Sequence, residues 1–559
     1  MIIISYLLFF TKTIDKKVHI KFLKVNFYFI LNALFQMIFI LSFYYMVKSF
    51  DKNNDIFSDK NINYIFDFFK LEKNNSYFIY IFLFFGIISN ILSIISNYIK
   101  SQFSTEFLTE TRSFFYKNYL NLNYINFYKH NLDNYINKVI TQCDRTAVLF
   151  LDSVNNIIQN FFLIIFIIIP SLIINPKITI ASILILGFIF ISISFLFKKK
   201  IKFFGTKTTL YTSERIKLIN ILFDNLNEIK INLTKNFFYE VFFKNEKQSN
   251  KIYKKMTVLS HSLKPVFEII LIIIFSIIII FFVQKNLDVL SKSDLIILSL
   301  VTLYKLLPSA NVVYQSLNEI NFNTSALKQL NDEIKKFDLK DKGLAFDKKI
   351  IDKNIKSVAF KKINIYINEK HIIRDFNAIF EKNKIYGIHG ESGSGKTTFL
   401  NTFGGLINHK SGEIFVNGKI SYLYENIEWF KNISLMPQKV HLLSASIYQN
   451  IAFEYNDSKI DKAKVETICR KLNLNKRFYD LNEKLIFASG GELQRISIAR
   501  SIYKNAQILL FDEPSSSLDE KNTNDFYHIL DGLKNDKIII VSSHDKNFIS
   551  KCDEIINFK

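Results

Sequence analysis

Gly390-Glu391-Ser392-Gly393-Ser394-Gly395-Lys396-Thr397 is the stretch on which the reading of this chain turns. It fits G-x-x-x-x-G-K-[ST], in which glycines let successive backbone amides curl around phosphate oxygens at the start of a helix. The apolar run at 385–388 predicts a strand entering the loop, and a helix is expected from about Lys396, with Thr398 in its first turn. In that setting Lys396 is placed to reach β- and γ-phosphates, and Thr397 to ligate Mg²⁺.

Further along, Ile508-Leu509-Leu510-Phe511-Asp512-Glu513 reads as a buried strand ending in two carboxylates. Asp512 suits Mg²⁺, usually through water. Glu513 suits a general base that polarises an attacking water. A solvated strand end is the bland alternative, and four apolar residues before the pair argue against it. A third strand, 538–541, delivers His544 to sense the γ-phosphate. From about residue 350 onward, short apolar strands alternate with helical patterns, as in an α/β domain.

Working back towards the N-terminus, the pattern changes. Apolar stretches of near-spanning length fall at 25–47, 77–99, 157–174, 178–197, 266–283 and 295–313. A span needs roughly 20 residues at ~1.5 Å per residue, and lipid leaves the helix as the plausible form. Residues 269–283 show almost no polar face, unlike a buried helix of a soluble protein. Lys198, Lys199, Lys200 and Lys202 follow the fourth stretch, whereas the loop 48–76 balances its lysines with acids. The positive-inside rule then puts both termini in the cytoplasm. The long polar connections after the second and fourth stretches would continue those helices beyond the membrane. Residues 1–24, apolar first and basic after, read as an interfacial elbow helix rather than a cleaved signal.

The whole chain has 559 residues and 49% hydrophobic content, with 58 phenylalanines, which calls for more than one domain. Its formal charge is +22, yet no basic-plus-aromatic nucleic-acid motif accompanies it, so basic loops against anionic lipid explain the charge better. Cys143, Cys469 and Cys552 form no CxxC pair, which argues against a disulfide framework and a zinc site. Polar residues inside spans are costly. Glu268 sits near the start of the fifth span and Lys305 in the sixth, just before Pro308. Lys305 either lines a cavity and meets an anionic substrate, or pairs with a carboxylate such as Glu268, or snorkels.

Between the phosphate loop and Asp512 lies Ala488-Ser489-Gly490-Gly491-Glu492, followed by Leu493-Gln494-Arg495. With Gln438 in Leu435-Met436-Pro437-Gln438, the stretch 442–453, and Ser517-Leu518-Asp519, the ordered set resembles the nucleotide-binding domain of ABC transporters. Six spans with two long extensions, then this domain, resemble a type I ABC exporter half-transporter. The fold expected is an all-α six-helix transmembrane domain plus an α/β P-loop NTPase (ABC-type) domain. The expected division is an elbow at 1–24, a membrane domain at 25–325, a linker at 326–349 and the ATP-binding domain at 350–559.

The resemblance implies ATP and Mg²⁺ as cofactors. Residues 390–398 and Gln438 would bind ATP, and Gln438 would join Thr397 and Asp512 at the metal. Two domains would sandwich two ATP molecules, with Ser489, Gly490, Gly491 and Glu492 acting across the dimer. A second half-transporter, most simply another copy, would be required. Tyr366 is the aromatic expected near the adenine, one position off the usual place. Ala488 stands where Leu is usual, Glu492 where Gln is common, and 481–487 is short for an exporter. Glu513 and His544 are both present, so an active ATPase is expected. Leu303-Tyr304-Lys305-Leu306-Leu307-Pro308-Ser309-Ala310-Asn311 resembles the sixth span of bacterial flippases for lipid-linked oligosaccharides. That implies an amphipathic substrate with a phosphate-bearing head in the cell (inner) membrane. A peptide or drug exporter, or a regulatory membrane ATPase, are the alternatives.

Overall fold

In the computed structural model the described residues are 16–49, 76–124, 132–174, 176–262, 265–266, 268–269, 272–273, 276, 293–341, 354–367, 369–474, 480–485, 488–515 and 520–558. They form two compact units, Met1–Asn121 with Asn131–Gly343, and Leu122–His130 with Leu344–Lys559.

The first unit is helical. Its elements are α1 (Lys16–Lys48), α2 (Ser76–Leu120), α3 (Leu132–Asn137), α4 (Leu151–Ile174), α5 (Pro176–Asp224), α6 (Leu226–Ile231), α7 (Lys235–His261) and α8 (Ser293–Asp341). Among the described residues, Ile20–Lys48, Ser76–Leu120 and Leu132–Ile173 are long and apolar enough to cross a membrane. The stretches 178–197 and 295–313 lie inside α5 and α8, and 266–283 falls only partly within the described residues. α2 has 45 residues and α5 and α8 have 49 each. At ~1.5 Å per residue they are about twice as long as a ~30 Å hydrocarbon core requires. α1 has no glycine or proline to break it and runs through residue 24, so residues 16–24 continue into the first span. Residues 1–15 lie outside the described residues.

Phenylalanine rings zip α1 to α2, with Phe39 on Phe82 at 5.1 Å and Phe22 on Phe103 at 5.8 Å. Between α3 and α4 the helix widens into two π turns, Lys138–Gln142 and Asp144–Phe150. The second turn presents Arg145, which is 6% exposed. Its guanidinium donates to Thr209 Oγ1 at 2.7 Å, Asn323 Oδ1 at 3.0 Å and the Phe322 carbonyl at 3.1 Å. These acceptors lie on α5 and α8, so one side chain ties three helical segments. α5 and α8 meet at Gly205, where a Cβ would lie 1.9 Å from the Phe322 carbonyl oxygen.

The second unit holds two sheets. β1 (Ser357–Ile367), β2 (Lys370–Glu381), β4 (Ser411–Val416) and β5 (Lys419–Ile420) form an antiparallel sheet in the order β2-β1-β4-β5. β3 (Lys384–Gly390), β6 (Ile433–Met436), β7 (Ile508–Asp512), β8 (Ile538–Ser542) and β9 (Glu554–Phe558) form a parallel sheet in the order β6-β7-β8-β3-β9. β7 and β8 are buried along their whole length, as central strands covered on both faces must be.

α9 (Lys396–Phe403) starts at the phosphate loop, and its Phe399 and Phe403 pack against Phe360 and Phe380 of the antiparallel sheet. Trp429 of α10 (Ile427–Asn432) donates its indole N–H to the Phe403 carbonyl at 2.8 Å, closing the end of α9. Asn123 and Tyr124, far away in sequence, belong to this unit. Asn123 donates to Tyr424 Oη at 2.6 Å, and Asn401 on α9 donates to Tyr124 Oη at 3.3 Å. The remaining helices are α11 (Ile447–Ala452), α12 (Lys462–Lys471), α13 (Gly490–Lys504), α14 (Glu520–Leu533) and α15 (Lys546–Ile549). All three cysteines are free thiols.

Candidate functional site

β3 delivers the phosphate loop as the sequence pattern predicts. Gly393 and Gly395 take φ of +85° and +100°, conformations that glycine adopts without steric cost. Gly395 also needs to be small, because a Cβ there would sit 3.1 Å from Ile372 and 3.3 Å from Ile373 of β2. Residues 390–394, with His389, His544, Lys546 and Phe558, line an open cleft of about 820 Å³. Thr397 is exposed and Thr398 half-buried in the first turn of α9.

Lys396 is 6% exposed and donates to the carbonyls of Gly390 at 2.8 Å and Glu391 at 3.2 Å. Its ammonium also lies 3.1 Å from His544 Nε2 and 3.8 Å from Glu513 Oε1. His544 Nε2 is 3.3 Å from the same Glu513 oxygen. One imidazole nitrogen thus faces both a cation and an anion. With a lone pair it accepts from Lys396; with a proton it donates to Glu513.

Asp512 and Glu513 stand at the end of β7, 3% and 9% exposed. Burial pushes the Glu513 carboxyl up, and the nearby His544 and Lys396 pull it part of the way back. Glu513 itself has φ of +50°, left-handed for a residue that is not glycine. Strained residues of this kind cluster at active sites, held by their surroundings. Here the Glu513 N–H bonds to Ser542, and the His544 N–H bonds to Glu513 Oε2 at 3.4 Å.

The structure therefore brings residues 390–398, Asp512, Glu513 and His544 together around Lys396. Gln438 is exposed just beyond β6, two residues past Met436, whose partner on β7 is Phe511. Ser489 is the N-cap of α13, ahead of Gly490 and Gly491, and its N–H donates to Glu492 Oε2 at 2.8 Å. A glutamine oxygen could accept the same bond, which accounts physically for Glu492 at a position where glutamine is common. Tyr366 pairs with His371 across β1 and β2. Its ring stacks on His371 at 4.2 Å and meets Lys410 Nζ at 4.5 Å. Glu268 is exposed on helical backbone. Lys305 lies within α8, with its side chain outside the description, and 517–519 lie outside the described residues. Ser542, His389 and Phe558 were not anticipated from the sequence. A lone Ser closing an all-aliphatic buried strand, IIIVS, was the signal for the first.

Comparison with known proteins agrees with this geometry. Residues 21–304 match the model of the ABC transporter transmembrane region, and residues 373–516 match the ABC transporter model. The phosphate import ATP-binding protein PstB of Saccharolobus solfataricus is 32% identical over 210 residues, 35% of this chain and 82% of that protein. A probable ABC transporter ATP-binding/permease protein of Haemophilus influenzae is 30% identical over 216 residues, 37% of this chain and 39% of that one. The ATP-dependent lipid A-core flippase of Vibrio parahaemolyticus is 30% identical over 213 residues, 37% of this chain and 36% of its own length. A bacterial Atm1-family ABC exporter solved with ATP bound shares the fold, with a TM-score of 0.75 and 15% identity over 98% of this chain and 94% of that one. The chain belongs to the ABC transporter family: a half-transporter with the exporter fold, in which one polypeptide carries the membrane region and the domain whose ATP hydrolysis is coupled to transport.

Proposed function

We propose that two copies of this chain form an ATP-driven flippase that moves an amphipathic substrate, a lipid-linked glycan or a related lipid, outward across the cell (inner) membrane. Both termini lie in the cytoplasm in this reading. Convergence of Lys396, Glu513 and His544 at the phosphate loop, with Asp512 next to Glu513 and bonded to Ser542, carries the hydrolytic half.

Residues 390–398 and Gln438 hold ATP, with Lys396 exchanging its contacts to Gly390, Glu391 and Glu513 for phosphate oxygens. The oxygen donors fit Mg²⁺, a hard cation, and Thr397, Asp512 and Gln438 would hold it or its waters. Bound there, it would supply neutralisation of phosphate charge. Glu513 takes the proton of the attacking water, and His544 bonds the γ-phosphate. Ser489, Gly490, Gly491 and Glu492 of each copy close over the nucleotide of the other. Tyr366 would support the adenine.

Lys305 supports the substrate reading. It stands on α8 three residues before Pro308, which cannot donate to the Tyr304 carbonyl. Asn311, one turn further, has its Oδ1 buried without a partner among the described residues. A cationic residue on the same helix as a backbone carbonyl freed by Pro308 and an amide suits a phosphorylated, hydroxyl-rich head, and Glu268 is its candidate counter-charge. The flippase among the relatives is consistent with a lipid substrate.

ATPase assays on the chain in liposomes test this. Lipid-linked oligosaccharide is expected to stimulate turnover, and Lys305→Ala to weaken that stimulation. Stimulation by peptides or drugs instead, with none by the lipid-linked glycan, overturns the substrate assignment.

A further inference from the structure

We infer that Ser542 is a positioning residue of the hydrolytic site: its hydroxyl sets the carboxylate of Asp512 and the backbone of Glu513 together. Ser542 closes β8, paired with Asp512 of β7 on one side and Ile388 of β3 on the other. It is 0% exposed. Every earlier residue of β8 is aliphatic, and a hydroxyl buried so fully costs stability unless bonded.

Both sides of that hydroxyl are used. Oγ donates its proton to Asp512 Oδ1 at 2.7 Å, and its lone pairs accept the Glu513 N–H at 3.2 Å. The same N–H reaches the Ser542 carbonyl at 3.1 Å. The bond directions are mutually consistent, since a hydroxyl has one proton to give and two lone pairs to receive. Glu513 is held at φ of +50°, a conformation side-chain-bearing residues avoid. An N–H anchored at the end of the neighbouring strand keeps it there, with Oε1 at 3.3 Å from His544 and 3.8 Å from Lys396. Ser542 also occupies Oδ1 of Asp512, which leaves Oδ2 for the cation or its water. This last step rests on the Mg²⁺ reading above.

Ser543 provides an internal comparison. It is 1% exposed at the same strand end, but its hydroxyl meets Ser515 Oγ at 3.1 Å and accepts the Asp545 N–H at 3.1 Å. It touches neither carboxylate among the bonds described.

The test uses the full chain in liposomes, with ATP turnover, the ATP KM, the Mg²⁺ activation constant and thermal stability read for each variant. Ser542→Ala is expected to lower kcat by about 10–100-fold and weaken Mg²⁺ activation, with the ATP KM nearly unchanged. Ser543→Ala should show a smaller loss of kcat and an unaltered Mg²⁺ constant. If Ser542→Ala also lowers the melting temperature, Ser542→Thr and Ser542→Val decide, because they share a shape and differ in the hydroxyl. Thr should restore turnover and Val should not. Equal turnover of the Thr and Val variants, or a Ser542→Ala enzyme within about twofold of the parent, overturns the assignment. Asp512→Ala separates the two readings. If it leaves Mg²⁺ dependence intact, the metal assignment fails whatever Ser542 does.

Discussion

Lys396 Nζ lies 3.8 Å from Glu513 Oε1, and the two side chains are almost fully buried at 7% and 11% exposure. On the proposed reading, the cation that meets phosphate and the anion that activates water are thus neighbours. A γ-phosphate and Glu513 compete for the same ammonium. Phosphate binding therefore weakens the hold of Lys396 on Glu513 and leaves the carboxylate more basic, which suits its task.

Glu513→Gln removes the base and keeps the shape. ATP turnover is expected to fall by about 10²–10⁴-fold, measured as phosphate release, while ATP binding by the purified chain persists. Unchanged turnover would falsify the base assignment.

The pH dependence follows from the same residue. Burial holds the Glu513 carboxyl above its ordinary value of 4.5. A base must be ionised, so turnover should fall as pH drops through that raised value, with an acid limb above pH 4.5. Stability runs the other way. The folded state binds this proton more firmly than the unfolded chain, so the ionised carboxylate destabilises the fold above the folded value. That penalty disappears as pH falls below the unfolded one. Glu513→Gln should therefore melt higher than the parent at pH 7 without nucleotide, and lose the advantage near pH 4.

Glu492 accepts the Ser489 N–H at the start of α13. Glu492→Gln keeps an acceptor and loses charge at a helix N-terminus, a cost of about 0.3–1 kcal/mol. Glu492→Ala loses the bond as well, about 1 kcal/mol more. Turnover of the Gln variant should stay near that of the parent and the Ala variant should fall below both. Equal loss in the two would mean that the charge, not the bond, is what matters.

How much of this was legible in the sequence depended on distance along the chain. The strand–loop–helix of the phosphate site is local: an apolar strand, glycines where φ turns positive, then a helix. β3, α9 and the ends of β7 and β8 fall where those patterns put them. Ser542 is marked as the polar end of an aliphatic strand, but its role was not legible, because that depends on the register of β8 against β7, set by residues 30 positions away. The stacking of Tyr366 on His371 depends on the β1–β2 register, and its contact with Lys410 on a residue beyond the phosphate loop. The two π turns around Arg145 break the helical period without any proline or glycine to announce them. Asn123 and Tyr124 carry no compositional sign that they join the ATP-binding unit rather than the helical one.

Gly205→Ala tests the α5–α8 crossing. In an open helix this change would help by about 1 kcal/mol through helix propensity. At Gly205 the added methyl carbon would overlap the Phe322 carbonyl oxygen at 1.9 Å, and backbone cannot rotate away. The same crossing carries the Ser325 hydroxyl to the Gly205 carbonyl at 3.1 Å. A net destabilisation of about 1–3 kcal/mol or more is expected, read as a lower melting temperature of the detergent-solubilised chain. A higher melting temperature would show that the two helices do not approach this closely.

Arg145→Lys asks whether that region needs a charge or a fork. The guanidinium meets acceptors in three directions, Thr209 on α5 and both Asn323 and the Phe322 carbonyl on α8, and none of these is anionic. The Phe322 ring lies under it at 5.1 Å. A lysine keeps the charge but offers one compact ammonium on a different stem, and it cannot serve both helices from one position. At least one acceptor is then left buried without a donor, at about 1–3 kcal/mol each. Lys should therefore lower the melting temperature, and Met, which leaves all three acceptors without the donor they had, should lower it further. If Lys is tolerated and Met is not, the site is holding a charge, and an anionic partner must approach Arg145 in another conformation of the transporter.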